Sequence, residues 1–284
     1  MDANSPHSWT ALRAGLGRAA HCLWDEAPHV FHDLYGYVVM GAEAERALIK
    51  LRRVVGEENY RLMRASVAWR SRVAEEVLDR ALAGGTRQYA LMGAGMDSFA
   101  LRRGHLLPDL QVYEVDHLAT QAWKRERLAA LGIAAPAGLN YVPADLGRES
   151  GAAALRRAGW DGARPGVVNW IAVAMYLAEA SILATLRDLA TLGRGTQVVM
   201  TYLLPEESLS GRELEIMRNM RTGTAHYGEP FLSFHTPDGI EALLRSAGFG
   251  AVDHHPPEDS ECFRGRRDGL KPYGIERLVV GIVR

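Results

Sequence analysis

Two glycines and two acids carry the chemistry most directly readable in this chain. Gly93-Ala94-Gly95 closes a short apolar run, Gln88 to Met92, and Asp116 ends a second one, Gln111 to Val115. Glycine lets the backbone turn sharply and lets a ligand lie against it. A carboxylate about twenty residues further on, at the end of the next strand, can accept both hydroxyl protons of a ribose. Turn and acid together point to a nucleoside cofactor. A dinucleotide fingerprint needs a third small residue at its sixth position, where a helix end meets a pyrophosphate. Here that position is Ser98, and Asp97 precedes it. A carboxylate repels a pyrophosphate but is tolerated or useful beside a cationic sulfonium or ammonium. The pattern favours S-adenosylmethionine over NAD.

Elements at the right spacing must present these residues. Residues 8–83 read as helical throughout, because apolar residues recur at helical spacing and strand-like alternation is missing. The strongest helix, Glu57 to Ala83, is stopped by Gly84-Gly85. From Gln88 onward the character changes. Strands are predicted at 88–92, 111–115, 141–142, 167–173 and 197–202, with helices at 118–131 and 181–192. Alternation of this kind predicts an α/β fold, a doubly wound, mostly parallel sheet covered on both faces. Ser210-Gly211-Arg212-Glu213 has capping-box spacing and opens a helix to about Arg221. Thr236-Pro237 starts another, ending at Gly248. Strands at 251–254 and 277–283 bring the sheet to seven, with a loop over 255–273 between them.

The length of 284 residues suits one large domain. Its expected parts are a helical extension (1–84), a core (85–203 and 236–284) and a lid or substrate insertion (204–235). A formal net charge of −1 gives no bulk electrostatic case for nucleic acid or an anionic membrane. Arg264, Arg266 and Arg267 read as a solvated loop. Cys22 and Cys262 lie far apart and support neither a disulfide framework nor a zinc cluster, so no metal is expected and the compartment is read as reducing. Met1 to His7 lacks a basic-then-apolar signal pattern, and Trp170 to Ala178 is too short to span a bilayer. The expectation is a cytoplasmic protein acting on a small molecule. A homodimer is compatible with the sequence.

The blocks QYALMGAGMDSFALRR, VYEVDHLATQAWKRERL, YVPADL and VAMYL resemble the leucine carboxyl methyltransferase family, most closely its bacterial natural-product branch. They run in order from about residue 60 to 205, and Gly228 to Phe249 extends the likeness more weakly. The resemblance implies a Rossmann-like fold and an O-methyltransferase using S-adenosyl-L-methionine. It implies that Arg70 holds the cofactor's carboxylate, which suits a guanidinium's bidentate geometry. It places Gly93, Ala94 and Gly95 against the methionine portion, with Asp97 beside them. Asp116, with His117 next to it, falls on the ribose. Asp145 and Leu146 fall near the adenine amino group, although from its position alone Asp145 reads equally well as a helix cap. The chain departs from the pattern in two places. Ser98 and Phe99 follow Asp97 where Thr and Arg are common, and Ile171 stands where many members carry a glutamate, four residues before Met175-Tyr176-Leu177.

Methyl transfer from a sulfonium is an in-line displacement, so holding the nucleophile close and aligned supplies most of the rate. A carboxylate acceptor is already a nucleophile. A phenol or alcohol needs a base within reach. Tyr176, His226 and His235, with Tyr202, are the residues offered for that role. Trp9, Trp24, Phe31, Tyr35 and the segment 203–234 are expected to cover an apolar substrate. The readings left open are methylation of a small carboxylate or hydroxyl, methylation of a protein C-terminus, and cofactor binding without transfer. An NAD-linked oxidoreductase is disfavoured by Asp97 and Ser98.

Overall fold

The computed structural model describes residues 9–284, so Met1 to His7 and the side chain of Trp9 lie outside the described residues. Four helices come first: α1 (Trp9–Trp24), α2 (Tyr35–Met40), α3 (Ala44–Val55) and α4 (Glu57–Ala83). The core then alternates: β1 (Gln88–Met92), α5 (Phe99–Arg102), β2 (Gln111–Asp116), α6 (Leu118–Ala130), β3 (Leu139–Pro143), α7 (Gly151–Arg157), β4 (Val167–Trp170), α8 (Glu179–Leu189) and β5 (Gln197–Leu203). It ends with α9 (Gly211–His226), α10 (Pro237–Ser246), β6 (Phe249–His255) and β7 (Glu276–Val283).

The sheet has seven strands in the order β3-β2-β1-β4-β5-β7-β6. β1 to β5 pair in parallel, and β7 runs antiparallel between β5 and β6. β1 is buried along its whole length, as an apolar central strand should be. Ala90 and Met92 face one core layer with residues of α7, α8 and α10. Tyr89 and Leu91 face the other, against Trp69, Val73, Val77 and Leu78 of α4. Order reverses between β1 and β4, and such a switch point opens a crevice at the strands' carboxyl ends.

The expected strands and major helices are present, with four differences. The N-terminal helical region is interrupted at 25–34, where a loop turns the chain from α1 into α2. β4 stops at Trp170 instead of Val173, because Ala172 takes a left-handed φ of 57°. The short helices α5 and α7 carry no strong sequence signal. The capping box at Ser210 does not form: the Ser210 side chain caps nothing, Glu213 accepts the distant Gly274 N–H at 2.9 Å, and α9 runs on to His226. The Thr236 cap does form, its hydroxyl accepting Gly239 N–H at 3.1 Å. Among the described residues, no helix is long and apolar enough to cross a membrane.

The helical extension is fitted onto the glycine turn. Met96, within that turn, packs in one apolar cluster with Leu12, Leu16, Leu48 and Tyr60. α1 and α2 cross so closely that a Cβ on Gly36 would lie 2.3 Å from the Gly15 carbonyl oxygen. Backbone on backbone leaves nothing flexible to move aside. Gly36→Ala is therefore expected to destabilise the chain by about 1–3 kcal/mol. Thermal unfolding checks this, as a fall in Tm of several degrees. An unchanged Tm would mean that the two helices are not held in this contact.

Candidate functional site

β1 and β2 end side by side, and the chain leaving β1 has to double back over them. Gly93 N–H and Ala94 N–H both donate to Val115 O, at 2.8 and 3.1 Å. Gly93 and Gly95 take φ values of 70° and 49°, which glycine adopts without strain. Space demands glycine as well. A Cβ would lie 2.8 Å from Val173 Cγ2 at Gly93 and 2.9 Å from Ala11 Cβ at Gly95. Gly95 N–H donates to Asp116 Oδ2 at 2.6 Å, and His117 N–H donates to Asp116 Oδ1 at 2.6 Å. Each carboxylate oxygen keeps lone pairs for a ligand. Asp97 Oδ1 accepts Phe99 N–H at 2.7 Å. Below the turn, Lys124 Nζ donates to Asp97 O at 2.6 Å and to Glu114 Oε2 at 2.7 Å. Arg18 of α1 donates to Met96 O at 2.9 Å while paired with buried Asp33.

Over this turn lies a cavity of about 1160 Å³. Its walls bring together Arg70, Gly93, Ala94, Gly95, Asp97, Asp116 and Tyr176 from the sequence reading. Arg70 has a partner that the sequence does not announce. Its Nη1 donates to both oxygens of buried Glu276, at 3.0 and 2.9 Å. Burial opposes the Arg70 charge, but facing Glu276 more than restores it. The pair offers one cation and one anion to a zwitterion, the form of an amino-acid headgroup. Burial pushes the Tyr176 phenol up to about 12, with Thr10 and Arg70 pulling the other way.

The remaining residues named from sequence lie elsewhere. His117 is exposed and caps α6, its Nδ1 accepting Ala119 N–H at 3.3 Å. Asp145 is exposed and accepts Gly147 N–H at 3.0 Å within a turn, while the cap of α7 is Ser150, whose hydroxyl accepts Ala153 N–H; neither Asp145 nor Leu146 lines the cavity. His226 closes α9 outside the cavity. His235 is buried outside it, donating its backbone N–H to Leu203 O at 2.8 Å. Burial lowers the pKa of the His235 imidazole, against the pull of Glu179. Tyr202 packs near His254, also outside the cavity.

The aromatic cover differs from expectation too. Trp24 meets Tyr60 edge-to-face, Phe31 lies under Arg102, and Tyr35 lines a separate small recess. The apolar wall comes from the other expected part, the 203–234 segment, through Ile216, Met220, Phe231 and Leu232, with Phe231 against Tyr176 at 5.4 Å. Ile171 and the strained Ala172 complete the wall after β4.

The model of the family described as leucine carboxyl methyltransferase matches residues 11–190, more than half of the chain. The chain belongs to the leucine carboxyl methyltransferase family. Among its relatives is a Bacillus subtilis protein, YktD, named as an S-adenosyl-L-methionine-dependent methyltransferase. It is 30% identical over 211 residues, covering 72% of this chain and 68% of the relative. A Saccharopolyspora erythraea protein named in the same way is 36% identical over 155 residues, 52% of each chain. The chain thus spans about half to two thirds of these relatives. The fold is similar to that of a DUF574 family protein from Streptomyces avermitilis, with TM-score 0.59 at 17% identity, covering 88% of this chain and 95% of that one. It is also similar to that of the S-adenosylmethionine-dependent methyltransferase SibL, with TM-score 0.50 at 16% identity, covering 97% and 74%.

This family member is a methyltransferase with a Rossmann-like core, and S-adenosyl-L-methionine is its cofactor. The residues over the switch point fit that group, since the glycine turn lines the cavity without side chains at Gly93 and Gly95 and the Asp116 carboxylate beside it keeps lone pairs for a ligand. Asp116→Ala is expected to weaken binding of S-adenosylhomocysteine by about 1.5–3 kcal/mol, a Kd roughly 10- to 150-fold higher. Calorimetric titration measures it, and an unaltered Kd would remove Asp116 from the cofactor site.

Proposed function

We propose that this methyltransferase esterifies a carboxylate on a small, largely apolar acid of the natural-product kind. One observation carries the reading. Among the described residues lining the cavity there is no histidine, and the phenol of Tyr176 is held protonated near pH 7. A hydroxyl acceptor needs a base poised near the working pH, whereas a carboxylate needs none. The cavity volume also supports it. Pockets for a single drug-sized ligand run roughly 300–1,000 Å³, so about 1160 Å³ leaves room for an acceptor beside the cofactor. Arg13, Arg46 and Lys50 line one side and favour an anion, while Ile216, Met220 and Phe231 favour an apolar body.

The bound cofactor supplies a methyl group on a cationic sulfur, which is the leaving group of the displacement. The chain's own residues do the rest. Asp116 would hold the ribose hydroxyls, Arg70 and Glu276 would meet the amino-acid end, and the glycine turn would allow close backbone approach. Asp97 faces positive charge without a pyrophosphate to repel. Tyr176 and Phe231 exclude water and orient the acceptor, and Tyr176 acts as a donor, not a base. Positioning of this kind is where an in-line transfer gains its rate.

Incubation with methyl-labelled cofactor and a panel of apolar acids is expected to yield a product that releases its label in mild base, as an ester does. A base-stable product would mean ether formation and a hydroxyl acceptor. Cofactor binding without any transfer would favour a protein that has lost the reaction, consistent with Ile171 in the cavity wall. Tyr176→Phe is expected to lower kcat far less than the roughly 10²–10⁴-fold cost of losing a general base. The wild-type pH profile should stay flat between about pH 6 and 9, because burial keeps the Tyr176 phenol protonated up to about 12 and a carboxylate is ionised throughout.

A further inference from the structure

The loop between α1 and α2 gathers three metal-ligating side chains that the methyltransferase site does not use. Cys22 ends near the close of α1, and His29 and His32 follow on the loop. The Cys22 Sγ and one ring nitrogen from each histidine lie within 4.8 Å of one another. We propose that Cys22, His29 and His32 bind a divalent zinc-type ion, with water completing the tetrahedron.

The chemistry of the set favours this ion. One thiolate and two imidazoles are borderline-soft donors, which suit zinc better than magnesium or calcium. Bond lengths of about 2.3 Å to sulfur and 2.0–2.1 Å to nitrogen put tetrahedral ligand atoms about 3.3–3.6 Å apart. The three groups therefore need to close by about 1 Å, within reach of a side-chain rotation. His32 is exposed and free to make it. On binding, the Cys22 thiol gives its proton to solvent, and sulfur and both nitrogens donate lone pairs to the ion.

The surroundings are already those of a built site. Asp33 N–H donates to Cys22 Sγ at 3.3 Å, which fixes the position of the sulfur. Neighbouring His21 is committed elsewhere: its Nε2 accepts Val30 N–H at 2.9 Å and its Nδ1 faces Asp25 Oδ2 at 2.9 Å. It stands edge-on to His29, with ring centroids 5.4 Å apart, and so fixes that ring from behind. Arg266 holds the loop backbone, donating to Pro28 O at 2.6 Å and Glu26 O at 2.7 Å. The ion would thus staple a loop whose Asp33 anchors Arg18, and through Arg18 the carbonyl of Met96.

The test uses the full chain, stripped with a chelator and kept reduced, titrated with zinc alone and with cobalt alone. Expected are one equivalent of zinc and a Tm higher by roughly 5–10 °C at zinc a hundred times its Kd. Cobalt should give a thiolate-to-metal charge-transfer band. Cys22→Ser keeps a group that can hydrogen-bond Phe31 O, and His32→Ala changes an exposed side chain, so both variants should fold. Each should lose more affinity than the roughly 10–100-fold cost of removing an outer-sphere partner, and Cys22→Ser should lose the cobalt band. No zinc binding by the wild type, or binding undiminished in both variants, would overturn the proposal.

Discussion

Where β1 and β2 end side by side, the hydrogen bond from Gly95 N–H to Asp116 Oδ2 joins the glycine turn to the strand-end acid. Neither half would serve alone. Without the turn, the backbone could not come close to a nucleoside. Without the bond, the Asp116 carboxylate would be held by His117 N–H alone. The demand for glycine is set from both sides, by Val173 beyond β4 and by Ala11 on the N-terminal helix. This contact also explains why four helices precede the sheet. Met96 plugs into their apolar cluster, and Arg18 reaches back to its carbonyl. The extension packs directly on the glycine turn.

A second constraint is electrostatic. Asp97, Asp116 and Glu276 line the cavity with Arg70, and Arg13, Arg18, Arg46, Lys50, Glu43 and Glu229 also belong to its wall, so the lining offers both signs of charge to a ligand with a cation and a carboxylate close together. Arg70 and Glu276 face each other in a mostly desolvated place, where a lost partner would leave an uncompensated charge. Facing Glu276 raises the Arg70 pKa against the opposing effect of burial, and the pair presents donors and a carboxylate side by side to a zwitterionic headgroup.

What the sequence disclosed follows from how far apart the cooperating residues lie. The glycine turn and Asp116 are legible because both belong to one strand–turn–strand unit with a fixed physical purpose. α4 is legible because its apolar spacing persists for seven turns and glycines bound it. Glu276 is not, since 206 residues separate it from Arg70. Its only local sign is that two charged residues, Glu276 and Arg277, open an otherwise apolar strand. The capping box at Ser210 misleads because Glu213 has a tertiary partner in Gly274, and tertiary contacts override local pattern. His226 and His235 satisfy a residue-type criterion for catalysis, but chemistry needs position, and α9 and the loop after it turn both outside the cavity. Counting cysteines hides the cluster at Cys22, because two of its three donors are histidines on a loop read as helix.

The central claim is that the turn and its acid hold a sulfonium nucleoside and reject a dinucleotide. Calorimetric titration of the wild-type chain with S-adenosylhomocysteine, and in parallel with NAD, tests it most directly. One equivalent of S-adenosylhomocysteine should bind and NAD should not. Binding of NAD, or no binding of S-adenosylhomocysteine, would contradict it.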